Sequence, residues 1–188
     1  MTLAREMALE SEYVMGTFAR KPVEFVEGHG MTLIDDAGNE YLDFLSGIGV
    51  CSLGHCHPSI VQAVSDQAAK LIHVSNYYYI EHRGEVAQLL SNMLNAYVDE
   101  PSPETWKTFF ANSGAEANEC AIKLARLYAR RRTEAAGKDA ELAPRLIVTL
   151  AKSFHGRTLA TLAATAQPAK QEAFQPLPAG FTATPIND

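Results

Sequence analysis

The hydrophobic pattern at the beginning of the chain predicts a short helix followed by three short strands. The helix is predicted at residues 5–15. Three strand-like runs follow, at residues 23–27, 31–35 and 40–45. The sequences GHG at 28–30 and DAGN at 36–39 separate these runs, and both are typical of turns. The pattern therefore predicts a small antiparallel meander.

The pattern then changes to a helical period. A loop, GVCSLGHCHP, ends at Pro58, a residue that fits the first turn of a helix. The helix predicted at 59–74 has an apolar face made of Ile60, Val61, Val64, Ala68, Leu71 and Ile72. A second helix, predicted at 83–98, has an apolar face made of Val86, Leu89, Leu90, Met93, Leu94 and Tyr97. The two prolines of EPSPE, at 100–104, then break the helical pattern.

Strands and a helix alternate in the last part of the chain. Strands are predicted at WKTFFA (106–111), RLIVTL (145–150) and FTATP (181–185). A helix is predicted at about 114–132, with an apolar stripe at Ala117, Ala121, Leu124, Ala125 and Tyr128. Strand, helix and strand in this order are typical of a parallel-sheet α/β domain.

These elements predict two parts of unequal size. We expect residues 1–57 to form a small N-terminal part with the meander, and residues 58–188 to form the first part of a large α/β domain. The sequence ends in FTATPIND, directly after a strand signal and with no closing helix. Because each strand of an α/β sheet needs neighbours and covering helices, we expect a larger protein to continue beyond this point.

Composition and charge exclude several classes of protein. The 188 residues are 47% hydrophobic and 20% charged, which is typical of a soluble globular protein. A net charge of -6 argues against nucleic acid as a partner, and no apolar run is long enough to span a membrane. Three cysteines do not indicate a disulfide framework, and the first residues resemble neither a signal nor a transit peptide. We therefore expect a cytoplasmic protein.

The turn NSGAEAN, at 112–118, has two interpretations. Ser113 and Glu116 form a capping box, and a well-capped helix is a sufficient reason for both residues. The alternative is an anion site, because the start of a helix carries free amides and a partial positive charge. Gly114 and Ala115 leave those amides uncovered, so a phosphate could approach the backbone. The sequence matches neither a dinucleotide-binding fingerprint nor a P-loop, so only the dipole and the amides would hold the phosphate.

The segment SFHGRT, at 153–158, follows a predicted strand at the edge where α/β sheets bind ligands. Phe154 at this position could equally be a core residue. With Gly156 and Arg157, however, it provides a flat ring, a glycine turn and a fixed cation within four residues. The ring could stack on a heteroaromatic ligand, and the guanidinium could bind a carboxylate through two parallel hydrogen bonds. Both turns together predict a site for a phosphorylated aromatic cofactor that acts on an amino acid.

A metal site is the first alternative. Cys51, His55, Cys56 and His57 in CSLGHCH are all plausible zinc ligands. Their spacing matches no paired C-x-x-C arrangement, and no second cluster completes a set of four ligands. The sequence therefore predicts no metal.

Three segments, LDFLSGIGVCSLGHCHPSIVQAV, NSGAEAN and SFHGRT, together resemble the class III pyridoxal-phosphate aminotransferases, in particular the acetylornithine and ornithine aminotransferases. The likeness runs from about residue 20 to the final IND. It implies an α/β structure of the pyridoxal-phosphate-dependent transferase fold type I, of which this chain is the N-terminal part: a small meander plus the first half of the large mixed-sheet domain. It also implies a homodimer with active sites at the subunit interface.

The resemblance implies a role for five residues. Gly114 and Ala115 would bind the phosphate of pyridoxal 5'-phosphate through backbone amides, with Ser113 beside them. Phe154 would stack on the pyridine ring, and Arg157 would bind the carboxylate of the amino acid. The lysine that holds the cofactor covalently would lie beyond residue 188, so no catalytic residue is expected in this chain.

The implied activity is transfer of an amino group from N-acetylornithine or ornithine to 2-oxoglutarate, in arginine biosynthesis. 4-Aminobutyrate and succinylornithine are alternative donors, and Phe18, where related enzymes often carry a tyrosine, leaves the identity of the donor open.

None of the lysines in this chain is expected to hold the cofactor. Lys152, two residues before Phe154, is interpreted as a surface residue near a strand end. We expect the 188 residues alone to be inactive, and a non-catalytic fragment that acts as a binding module is the second alternative.

Overall fold

The computed structural model describes residues 2–98 and 105–187, in two compact units, Met1–Ile80 and Glu81–Asp188. The first unit contains α1 (Leu3–Tyr13), β1 (Phe25–His29), β2 (Thr32–Asp35), β3 (Glu40–Leu42), α2 (Ser46–Gly49) and α3 (Pro58–Lys70). The segment α2 is a single turn whose backbone is left-handed. The second unit contains α4 (Arg83–Ala96), α5 (Gly114–Ala135), β4 (Ile147–Leu150), α6 (Leu159–Ala164), α7 (Pro168–Gln171) and β5 (Phe181–Thr184).

The three strands of the first unit form the predicted antiparallel meander, in the order β1-β2-β3. A turn joins β1 and β2 as predicted, but of residues 28–30 it includes only Gly30, because β1 continues through Gly28 and His29 and pairs them with β2. A Cβ on Gly28 would lie 3.1 Å from the side chains of His55 and Leu33. A side chain at this position would crowd these neighbours within the strand, and the chain turns at Gly30, where φ is +53°.

A buried carboxylate holds the turn between β2 and β3. Asp35 is 6% exposed and accepts hydrogen bonds from the amides of Ala37 (3.0 Å) and Asn39 (2.8 Å). The Asn39 side chain (2.8 Å) and the Tyr41 hydroxyl (2.9 Å) donate to its other oxygen. These bonds, the one from the Asn39 side chain first, hold the pKa of Asp35 below its ordinary value. The turn predicted at DAGN is confirmed.

A second carboxylate holds the loop that follows β3. One oxygen of Asp43 accepts from the amides of Leu45 and Ser46, both at 2.8 Å. The other oxygen lies 2.6 Å from Nε2 of His55, which lowers the pKa of Asp43. His55 also pairs through its backbone with Gly30, so its contacts with Asp43 and Gly30 together fix the loop to the meander.

In the second unit, the strands predicted at 145–150 and 181–185 form a parallel pair, in which Ile147 lies opposite Phe181 and Leu150 opposite Thr184. The two short helices α6 and α7 lie between these strands in sequence, and the pattern did not predict them. The strand predicted at 106–111 is wrong, because residues 105–111 have no strand partner among the described residues. The amide of Trp106 donates instead to the Ser91 hydroxyl (3.2 Å). EPSPE lies outside the described residues.

Most large apolar side chains are exposed within the two units. Among the described residues, the buried apolar side chains are Ile122, Ala143, Leu162 and Ala164. The apolar faces predicted for α3 and α4 are exposed, and so is the stripe predicted for α5. The face of α5 that contains Ile122 is the one that packs on α6. In the described part of the chain, no helix combines the length and the apolar character that a membrane crossing requires.

Candidate functional site

The start of α5 has the geometry of an anion site. Ser113 caps the helix, because its Oγ accepts a hydrogen bond from the amide of Glu116 (3.1 Å). The carboxylate of Glu116 accepts in turn from the amide of Asn112 (2.7 Å), one residue earlier than a standard capping box would use. The amides of Gly114 and Ala115 are the first two of the helix, and such amides have no partner within their own helix.

The space in front of these amides is open. Ser113 and Gly114 are exposed, and a Cβ added to Gly114 would meet nothing within 4 Å. The 22 residues of α5 align their peptide dipoles so that the partial positive charge lies at this end. The two free amides, the open approach and the dipole are the donor set that a phosphate group requires.

The SFHGRT turn presents an exposed ring with two cations near it. Phe154 is 57% exposed. The guanidinium carbon of Arg157 lies 5.8 Å from the centre of this ring, and Nζ of Lys170 lies 5.3 Å from it. No carboxylate pairs with Arg157 within residues 2–98 and 105–187, so its guanidinium is available for an anion. Sequence reasoning predicted Phe154 and Arg157 but missed Lys170, which α7 brings to the ring from sixteen positions further along the chain.

The two turns are in contact. Gly156 is buried, with φ +136°, and a Cβ on it would lie 2.8 Å from Cβ of Ala115 and 2.6 Å from Oγ1 of Thr161. This turn therefore packs on the first turn of α5 only because residue 156 is glycine. Two hydrogen bonds strengthen the contact, from Asn118 Nδ2 to the His155 carbonyl (2.9 Å) and from the Thr158 hydroxyl to Glu119 Oε1 (2.5 Å).

The five predicted site residues thus lie on two segments that the fold brings together. Ala115 meets the SFHGRT turn directly, through Gly156. Among the described residues, no hydrogen bond joins Phe154 or Arg157 to Ser113 or Gly114. The residues present fit a ligand with a phosphate at one end and a flat ring at the other: amides and a dipole for the phosphate, and an exposed aromatic face with nearby cations for the ring.

The other candidates from the sequence have structural roles. Lys152 is exposed at the end of β4, and its amide donates to the Ala166 carbonyl (3.0 Å). The imidazole of His55 is engaged by Asp43, and Cys51, Cys56 and Cys120 are free thiols. In residues 2–98 and 105–187, no three histidine, cysteine or acidic side chains form a group that could hold a metal ion.

Known proteins resemble this chain over almost its whole length. The sequence profile of the family described as aminotransferase class-III matches residues 17–188. The acetylornithine aminotransferase of Nitrosomonas europaea is 47% identical over 176 residues, which cover 94% of this chain and 40% of that protein. The protein of the same name from Methanocaldococcus jannaschii is 45% identical over 180 residues, which cover 96% of this chain and 41% of that protein.

The fold is also found in solved structures. The crystal structure of the ornithine aminotransferase from Toxoplasma gondii superposes with a TM-score of 0.83 at 26% identity, and covers all of this chain. The match covers 41% of the Toxoplasma chain. The chain therefore spans about two fifths of the length of the proteins that it matches.

Proposed function

Because this chain belongs to the class III aminotransferase family, we propose that the protein is an acetylornithine aminotransferase that uses pyridoxal 5'-phosphate. The family and the fold type I that the sequence motifs predicted are confirmed. The observation that supports the proposal most directly is the packing of the SFHGRT turn on the start of α5, because these are the two segments on which the ring site and the phosphate site are predicted.

Each site residue has a role in this proposal. The amides of Gly114 and Ala115 bind the cofactor phosphate, and the Ser113 cap keeps them at the start of a regular helix. Phe154 packs on the pyridine ring and excludes water from one of its faces. Arg157 orients the incoming amino acid or 2-oxoglutarate by its carboxylate. When bound, pyridoxal phosphate supplies the electron sink that the transfer of the amino group needs.

N-Acetylornithine is the proposed amino donor because the relatives at 45–47% identity carry that name. Ornithine is the second candidate, since the ornithine aminotransferase structure has the same fold at 26% identity. Parallel assays with N-acetylornithine, ornithine, succinylornithine and 4-aminobutyrate, each with 2-oxoglutarate, test this choice. A preference for any of the last three would overturn it.

The wider setting is also a proposal. A cytoplasmic protein is supported by the three free thiols, because a reducing compartment keeps thiols unpaired. Cell fractionation tests this location. We also propose that the protein is a homodimer. Within each subunit, we propose that the predicted boundary after His57 separates the small domain from the large domain. Analytical ultracentrifugation of the protein that carries this chain tests the dimer.

The sharpest test of the site separates the cofactor from the substrate. Gly114→Val places a branched side chain over the amides, and we expect it to weaken pyridoxal phosphate binding by about 1–3 kcal/mol, the value of a hydrogen bond to a charged group. Arg157→Lys keeps the charge but loses the planar fork, and it should weaken 2-oxoglutarate binding about tenfold while the cofactor stays bound. Both affinities are measured by visible absorbance.

Arg130→Lys is the matched control for the arginine variant. Arg130 is an exposed arginine of α5 that pairs with Glu134 (3.0 Å), so its replacement should change neither affinity. If Arg157→Lys lowers cofactor occupancy and leaves the affinity for 2-oxoglutarate unchanged, Arg157 belongs to the phosphate site and its proposed role is wrong.

A further inference from the structure

His155, the residue that follows Phe154, is held at both of its backbone polar atoms by buried or half-buried side chains. The amide of His155 donates to Oγ1 of Thr165 (2.9 Å). The carbonyl of His155 accepts from Nδ2 of Asn118 (2.9 Å). Asn118 lies on the second turn of α5, and Thr165 follows α6 and is fully buried. One residue of the SFHGRT turn is therefore fixed from two different elements.

The threonine that holds the amide is itself fixed in place. Oγ1 of Thr165 donates to the carbonyl of Thr161 (2.8 Å), so its hydroxyl proton is used and its lone pairs face the His155 amide. Oγ1 of Thr161, also fully buried, lies 2.7 Å from Oγ1 of Thr158. Thr158 in turn donates to Glu119 of α5. Thr161, which accepts from Thr165 through its carbonyl and contacts Thr158 through its hydroxyl, thus connects Thr165 with the helix that carries the predicted phosphate site.

These hydrogen bonds affect the distance between the two halves of the site, which are the amides at the start of α5 and the ring of Phe154. Gly156 lets the turn approach Ala115, but glycine alone permits many backbone conformations. The hydrogen bonds to the amide and the carbonyl of His155 select one of them, and His155 is the residue between the stacking ring and the glycine. A change in either bond would move the Phe154 ring relative to the amides of Gly114 and Ala115.

We propose that Asn118 and Thr165 are positioning residues that set the spacing between the phosphate site at the start of α5 and the ring of Phe154. Neither residue needs to touch the ligand. They act through the backbone of His155, whose carbonyl is held from α5 and whose amide is held from the residue that follows α6. This inference rests on the proposed function, because it assumes that one molecule of pyridoxal phosphate spans both halves of the site.

The test compares two replacements of Thr165 in the protein that carries this chain. Thr165→Val keeps the shape but removes the acceptor, whereas Thr165→Ser keeps the hydroxyl. We expect Thr165→Val to raise the dissociation constant of pyridoxal phosphate about three- to tenfold, the effect of one lost neutral hydrogen bond, and Thr165→Ser to restore it. The visible circular dichroism of the bound cofactor should weaken in the valine variant, because it reports a fixed orientation of the ring.

Thr149→Val is the matched control. The Thr149 hydroxyl also donates to a carbonyl of α6, that of Ala164 (2.9 Å), but it makes no hydrogen bond to the SFHGRT turn. A purely structural role of Thr165 would make both valine variants lower the melting temperature and leave the cofactor signal unchanged. That result would overturn the inference.

Asn118→Ala provides a second approach if Thr165→Val does not fold. Asn118 lies on a helix, where alanine is well tolerated, and the replacement removes the donor to the His155 carbonyl. It should raise the dissociation constant in the same range. If folded Asn118→Ala binds pyridoxal phosphate as tightly as the wild type, the inference is wrong. If the wild type itself does not bind pyridoxal phosphate, the proposed function fails, and the inference fails with it.

Discussion

The loops of the first unit are held by carboxylates, whereas the site turn of the second unit is held mainly by neutral groups. Asp35 and Asp43 between them accept six hydrogen bonds, four and two, from backbone and side-chain donors, and Asp43 also binds His55. The SFHGRT turn is held instead by the hydroxyls of Thr161 and Thr165 and by the amide of Asn118. The two regions therefore respond to different perturbations. Protonation of its carboxylates should destabilise the first region, whereas a change in side-chain shape should destabilise the second.

Steric change at the site turn should produce the largest effect. Gly156→Ala places a Cβ 2.6 Å from Thr161 Oγ1 and forces alanine into a backbone conformation with φ +136°. We expect a loss of about 2–4 kcal/mol in the free energy of unfolding, from overpacking and backbone strain together. Chemical denaturation followed by far-UV circular dichroism measures it.

Gly114→Ala is the control for this variant. The position is the first residue of a helix, has no neighbour within 4 Å of an added Cβ, and does not have a positive φ. Its stability should stay within about 1 kcal/mol of the wild type, on the stabilising side. Equal losses in both variants would mean that Gly156 does not pack on Ala115 as the structure has it.

This contrast also explains which parts of the fold could be predicted. The DAGN turn and the Ser113 cap are specified by neighbouring residues, so the local sequence predicted both. The face of α5 that is buried depends on α6, and no local signal indicated that short helix. The strand predicted at 106–111 failed for a similar reason, because a strand exists only where a partner strand pairs with it.

The residues of the candidate site also differ in whether the local sequence could predict them. Phe154, Gly156 and Arg157 lie within four residues, and their chemistry could be read directly from the sequence. Lys170 and Asn118 reach the same turn from distant positions, and neither belongs to a motif. Contacts between segments far apart in sequence depend on the packed structure, and a pattern along the chain does not contain them.

Acid should produce a smaller effect, at the two buried or half-buried aspartates of the first unit. The pKa of Asp35 and that of Asp43 are held below their ordinary value, so both groups stabilise the fold above about pH 4, the pKa of an aspartate in an unfolded chain. This stabilisation is lost as the pH falls through the lower, folded-state pKa. Hydrogen exchange of the β1 and β2 amides should therefore accelerate below about pH 4 relative to exchange in α6.

Asp35→Asn sharpens this test. The amide cannot accept all four hydrogen bonds in the geometry of the carboxylate, so the meander should be less stable at neutral pH. Its acid sensitivity should also decrease, because one of the two titrating groups is gone. An unchanged pH dependence in this variant would show that Asp35 does not titrate below its ordinary range.

The smallest effect on stability is expected at Ser113, which caps α5 beside the proposed phosphate site. Ser113→Ala removes the cap of α5 and should cost about 1 kcal/mol of stability, whereas Ser113→Asp supplies a carboxylate that caps the helix equally well. The two variants therefore separate the helix from the ligand. The aspartate places a negative charge beside the amides of Gly114 and Ala115, where a phosphate would be repelled. We expect Ser113→Asp to keep the wild-type melting temperature and to bind pyridoxal phosphate more weakly than Ser113→Ala does. Cofactor titration of both variants measures this difference. If Ser113→Asp binds as tightly as the wild type, the start of α5 is a well-capped helix and the phosphate binds elsewhere.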